Sequence, residues 1–155
     1  MDRATPECRC ELIASSPEAA ATWRLAGRWS ENPEAAVDWM RDRALVVADL
    51  LAQPPPGHIS PSVEIRTWAL DVSFHELQKV TLLQGRPVSA NFWATDVITP
   101  ASPPVHVLYT LSATPIPWDR AARKDSRDAT PARRQFWPLA HLRGRRAGRG
   151  GRSCP

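Results

Sequence analysis

The chain has 155 residues, 16 of them proline, with 20 basic and 16 acidic side chains and a net charge of +4. That length suits one domain, yet Leu, Ile, Val and Phe together make only 31 of the 155, close to the level below which chains fail to order. The N-terminal stretch has no apolar leader core, and the longest apolar run, residues 44–52, contains Asp49; this excludes a membrane span and predicts a cytoplasmic protein with no membrane partner.

Neither apolar content nor charge is spread evenly. Residues 37–111 hold 24 of those 31 side chains. Residues 1–78 carry seven basic and twelve acidic groups, whereas residues 79–155 carry thirteen and four. Eighteen of the twenty cations are arginine, a bias that GC-rich codon usage also produces. The split predicts a flexible N-terminus over 1–14, an α+β domain over 15–113, and a Pro/Arg-rich basic tail over 114–155. The tail is expected to be disordered, because so little apolar surface cannot offset the entropy of ordering it.

In chain order, "SSPEAAATWRLAG" predicts a first helix, with Ser15 or Ser16 as N-cap, Pro17 in the first turn and Gly27 as the stop. "NPEAAVDWMRDRALVVADLLAQPPPG" predicts a second, capped by Asn32, opened by Pro33 and ended before Pro54. On it Val37, Met40, Ala44, Val47 and Leu51 form one apolar stripe, and Trp39, Val46 and Leu50 a narrower one. "QPPPGHISP" reads as a stiff connector. "TWALDVSF" alternates, with Trp68, Leu70, Val72 and Phe74 on one face, and predicts a half-buried strand with a bulge near Arg66. "KVTLLQ" suits helix and strand equally. "ANFWATDVI" and "VHVLYTLSA" predict two further strands, the latter alternating at Val105, Val107, Tyr109 and Leu111. The expected architecture is two N-terminal helices packed on a small antiparallel sheet.

Motifs for chemistry are sparse. Cys8-x-Cys10 lacks the spacing of a zinc half-site, and three cysteines with no leader argue against a disulfide framework; both thiols are expected to be incidental groups near a loose terminus. His75-Glu76 is not followed by the second histidine of a zinc-protease helix, since position 79 is lysine. Gly85 invites a helix-turn-helix reading, but Pro87 and Asn91 fall where helix and apolar core are needed. No phosphate-binding loop, dinucleotide fingerprint or nucleophile elbow is present, so no cofactor or metal is expected. His58, Asp71, His75, Glu76, Asp96 and His106 form the pool from which a catalytic site would have to be drawn, with Asp71, His75 and His106 as a possible pocket on the sheet. Of seven tryptophans, Trp23, Trp39, Trp68 and Trp93 sit in predicted elements and are expected in the core, while Trp29, Trp118 and Trp137 lie in turns or the tail, where a tryptophan can anchor a partner.

The last stretch, "RRQFWPLAHLRGRRAGRGGRSCP", has seven arginines and no acid. Arginine pairs bidentately with phosphate and aromatic rings stack on unpaired bases. This points to nonspecific nucleic-acid contact through Arg133, Arg134, Phe136, Trp137, Arg143, Arg145, Arg146, Arg149 and Arg152. The favoured expectation is a small accessory or regulatory protein whose acidic body binds a protein partner and whose arm adds nucleic-acid affinity. A pure protein-interaction module and a small-ligand protein or enzyme with a pocket on the sheet are the alternatives.

Overall fold

A computed structural model describes residues 5–116 of the chain. Seven elements follow in the order β1 (Cys8–Ser16), β2 (Ala21–Ser30), α1 (Pro33–Leu50), α2 (Ser62–Leu70), α3 (Val72–Leu83), β3 (Val88–Asp96) and β4 (Val105–Pro115). The strands form one antiparallel sheet in the order β2-β1-β4-β3. Two hairpins, β1–β2 and β3–β4, are thus joined along their first and last strands, and the three helices lie between them in sequence. The class is α+β, but the order corrects the expected one: strands, not helices, open the fold. Residues 8–14, assigned by composition to a flexible terminus, make up most of the central strand β1.

The segment 15–27 is not a helix, although the N-cap bond expected of Ser16 is formed; Gly27, the expected stop, lies within β2. Ser16 Oγ accepts from Ala19 N at 3.3 Å, the same bond that an N-cap makes. One turn later Ala20 adopts a left-handed φ of 47° and the chain reverses into β2. Cys8, Cys10, Leu12 and Ala14 then alternate inward along β1, so the two thiols belong to the core. Burial pushes the Cys8 thiol up to about 11 and the Cys10 thiol upward as well. An irregularity in the β1–β2 register between Leu12 and Ile13 replaces the bulge expected near Arg66, which lies in α2.

The core lies between the helices and one face of the sheet. Val107, Tyr109, Leu111 and Ala113 of β4 and Ala90, Phe92 and Ala94 of β3 alternate inward, as their period predicts. Over them runs α1, capped by Asn32, whose side chain accepts from Ala35 N at 2.8 Å. Its wide stripe of Val37, Met40, Ala44, Val47 and Leu51 is fully buried, each large side chain contributing about 1.5–3 kcal/mol of burial. Trp39 and Leu50 of the narrower stripe are half-buried against the same core. Under the sheet end, Tyr109 donates its hydroxyl to Asp96 Oδ2 at 3.0 Å, so this buried carboxylate is held by hydrogen bonds. Among the described residues no helix is long and apolar enough to cross a membrane.

Candidate docking face

The region read as the strand "TWALDVSF" is the junction of two helices. In α2, Ile65 and Ala69 point into the core and Trp68 is half-buried. Asp71 then leaves helical geometry, with ψ of 88°, and its Oδ1 accepts from Phe74 N at 3.0 Å to cap α3. Thr67 and Thr81, residues that suit strands, return their hydroxyls to the carbonyls of Val63 and Leu77, each at 2.9 Å. Gly85 closes α3 at a φ of 78°. Its N–H donates to Leu82 O, and Arg86 N–H to Thr81 O, the paired bonds of a glycine-stopped helix end. "KVTLLQ" is therefore helical, and Gly85 separates a helix from a strand.

The inward side of α3 is built unusually. It consists of His75, Gln78 and Leu82, spaced at i, i+3 and i+7, and all three are buried. His75 packs edge-on against Trp68, ring centroids 5.2 Å apart, and Trp68 in turn against Phe92 at 5.8 Å. The His75 ring is hydrogen-bonded to the Trp68 backbone, whereas its Nε2 and the Gln78 Oε1 meet no hydrogen-bond partner among the described residues. A buried polar atom left in that state costs about 1–3 kcal/mol. Burial, aided by the Arg41 charge, lowers the His75 pKa, against the opposing pull of the Trp68 bond, Asp71 and Asp38. Burial therefore favours the neutral ring.

Where a surface helix normally turns polar, α3 is apolar. Val72, Phe74, Leu77, Val80 and Leu83 are between 40% and 65% exposed, and Leu70 and Val63 continue the surface onto α2 at 69% and 76%. Exposed apolar side chains in such number on one short helix are the kind of surface that marks contact sites. Leu70, Val72 and Phe74 thus face solvent, contrary to the half-buried strand they seemed to form. The outer face of the sheet is different in kind. There Glu11 pairs with Arg9 and Arg24 at 2.8 and 3.1 Å, Thr110 donates to Asn91 at 2.9 Å, and Trp93, 56% exposed, stands opposite Leu108. Trp93 is accordingly a surface residue, while Trp23 is buried and Trp39 and Trp68 half-buried, as expected.

The catalytic pool does not converge. Asp71 is a helix cap and His75 a core residue of α3. His106 is exposed on the opposite face of the sheet, its Nδ1 2.6 Å from Glu18 Oε1 in the β1–β2 turn; this contact lowers the Glu18 pKa. Asp96 is tied to Tyr109, and His58 is exposed in the connector. Among the described residues no three His, Cys, Asp or Glu side chains group to hold a metal. Arg133, Arg134, Phe136, Trp137, Arg143, Arg145, Arg146, Arg149 and Arg152 lie outside the described residues, as do Trp118 and the rest of the expected tail beyond Ile116. Comparison of the chain with family profiles, curated proteins and solved structures returned no match.

Proposed function

We propose that the protein is a small interaction protein, whose acidic body holds a protein partner on the α2–α3 face and whose arginine-rich C-terminal stretch adds nonspecific affinity for nucleic acid. One observation carries the first half: α3 buries His75 and Gln78 and leaves Val72, Phe74, Leu77, Val80 and Leu83 in solvent. A helix under selection for stability alone would be turned the other way. The support for the second half is the charge division, with eight basic and twelve acidic side chains over 5–116 against eleven and three over 117–155.

The test is a quantitative interaction screen with the full chain, its Leu77→Ser/Val80→Ser variant and a Trp93→Ser control. A partner that docks on this face binds the double variant at least tenfold more weakly and the control unchanged. A partner set indifferent to Leu77 and Val80 removes the reading. For the arm, binding to random single-stranded DNA is measured at 50 and 200 mM salt. Six to ten phosphate contacts lose about 10³–10⁵ in affinity over that range, and replacing Arg143, Arg145 and Arg146 by glutamine flattens the slope. Absent or salt-independent binding removes the arm's role.

A further inference from the structure

Among the described residues the sheet has two free edges, β2 and β3, and they are finished differently. Along β2 the pairing skips Leu25, and Arg24, Gly27 and Arg28 stand exposed. A bulge and charges are the ordinary protection of an edge against further strands. Strand β3 has neither. Its nine residues, "VSANFWATD", pair with β4 in unbroken register. They include no proline, glycine or basic residue, and the one charge, Asp96, is buried at the end of the strand. Midway along this edge Trp93 is 56% exposed.

The helix above that edge is apolar on the same side. Helix α1 packs over β1, β4 and β2, and α3 over β4 and β3, so the flank of α3 turned away from α1 overhangs β3. Lys79 marks the flank nearer α1, because its charge interacts with Glu34 and Asp38. Phe74, Leu77 and Thr81, at i, i+3 and i+7, form the opposite flank, the first two 40% and 60% exposed. Strand spacing then decides what fits. Where β3 pairs antiparallel with β3 of a second copy across a twofold axis, α3 and its symmetry mate stand two strand spacings apart. That is about 10 Å, the distance of packed helices. An unrelated extended segment would fill the edge and leave the helix flank bare. A twofold centred on Phe92, the middle of the strand, sets Trp93 across from Asn91, Ala90 from Ala94 and Val88 from Asp96. No like charges are opposed, and every inward side chain stays inward.

We propose that the chain forms a twofold dimer through β3, its two sheets joined into one continuous antiparallel sheet and Phe74 and Leu77 of the two α3 helices closing over the joint. The interface is isologous, the same patch meeting itself. It stands on the sheet edge and goes beyond the reading of the helix face as a partner site; Val72, Val80 and Leu83 lie outside the row at the joint.

The experiment follows sedimentation velocity and residue-resolved amide exchange of the full chain from about 1 to 500 µM, where interfaces of modest quality dissociate. The expected result is a monomer–dimer equilibrium. Alternate β3 amides, those not bonded to β4, exchange at least tenfold more slowly at the high end, while β2 amides do not change. Asn91→Lys/Trp93→Lys sets lysines opposite each other across the axis and weakens dimerisation at least tenfold. Trp29→Lys, on the β2 edge, leaves it unchanged. A chain that stays monomeric throughout overturns the proposal. So does a dimer that slows β2 amides or leaves those of β3 fast. Slow β3 exchange in a monomer, independent of concentration, assigns the edge to another segment of the same chain and overturns it too. Should the double variant misfold, as faster exchange across β4 would show, the concentration dependence of β3 exchange in the natural chain decides alone.

Discussion

Helices α1 and α3 belong to one helical layer over the same sheet and divide their side chains in opposite senses. Toward the core α1 turns Val37, Met40, Ala44 and Val47, and toward water Glu34, Asp38, Asp42 and Asp49. Toward the core α3 turns His75 and Gln78 beside Leu82, and toward water a row of valine, leucine and phenylalanine. The first arrangement maximises burial. The second forgoes several kcal/mol of it, since each large apolar side chain left in solvent withholds about 1.5–3 kcal/mol and each orphaned polar atom adds a cost of its own. Stability explains α1 and does not explain α3; the surplus on α3 is surface available for contact.

The largest effects test that contrast directly. Met40→Ala, at a fully buried site, should cost about 2–5 kcal/mol in denaturant unfolding. Leu77→Ser and Val80→Ser should each stay within about 0.5 kcal/mol while weakening docking. Comparable losses at both places would mean that the α3 surface is core in solution, and the contrast would be gone.

A finer test uses the two caps. Asn32→Ala removes the bond to Ala35 N and should lower global stability by about 1 kcal/mol. Asp71→Ala removes the matching bond to Phe74 N, but α3 is shorter and its inward side is mostly polar. Its loss should appear as local opening: about fivefold faster amide exchange across α3, the kinetic face of roughly 1 kcal/mol, with little change in strand exchange. Equal acceleration everywhere would show α3 to be as firmly integrated as α1.

The buried imidazole gives the α3 side a pH dependence that α1 lacks. The His75 pKa lies below its ordinary value because burial disfavours the charged ring. The unfolded chain therefore takes up a proton near pH 6.5 that the folded chain still refuses. Stability is full above that pH and declines as pH falls through 6.5 toward the folded value. The Glu18 carboxylate, lowered by His106, acts further down, its contribution lost below the normal carboxylate range. Urea midpoints at pH 7.5 and 5.5 should fall for the natural chain and stay nearly level for His75→Leu. Parallel declines would place the titration elsewhere.

Helix α1 and the strands β3 and β4 were legible because each carries its own local signal. Asn32-Pro33 opens a helix, and the alternation at Val107, Tyr109 and Leu111 survives burial on one face. What misled was local chemistry shared by two structures. Ser16-Pro17 starts a helix or a tight turn with the same side-chain bond. In α3 the periodic inward stripe is His75, Gln78 and Leu82, so the period that identifies a helix was written in polar residues, and the apolar ones around the Asp71 junction fell by accident at strand spacing. The feature that concealed α3 is the one that marks its outer face. A signal was present nonetheless: Asp71 three residues before Phe74, and Gly85 as a stop, bracket a helix of the observed length.

The smallest expected effect lies in the turn that resembles a helix start, and its sign carries the information. Ala20 holds a φ of 47°, where a Cβ costs about 1–2 kcal/mol. Glycine removes that strain and adds about 0.4–1 kcal/mol of backbone entropy to the unfolded chain. Ala20→Gly should therefore leave the protein roughly 0.5 kcal/mol more stable. In the helix that Ser16, Pro17 and Gly27 encode, position 20 would be interior, and the same change would cost about 1 kcal/mol. A stabilised variant upholds the β1–β2 hairpin, and with it the placement of Cys8–Ser16 as the central strand; a destabilised one returns residues 15–27 to the helix and removes the strand against which β4 is paired.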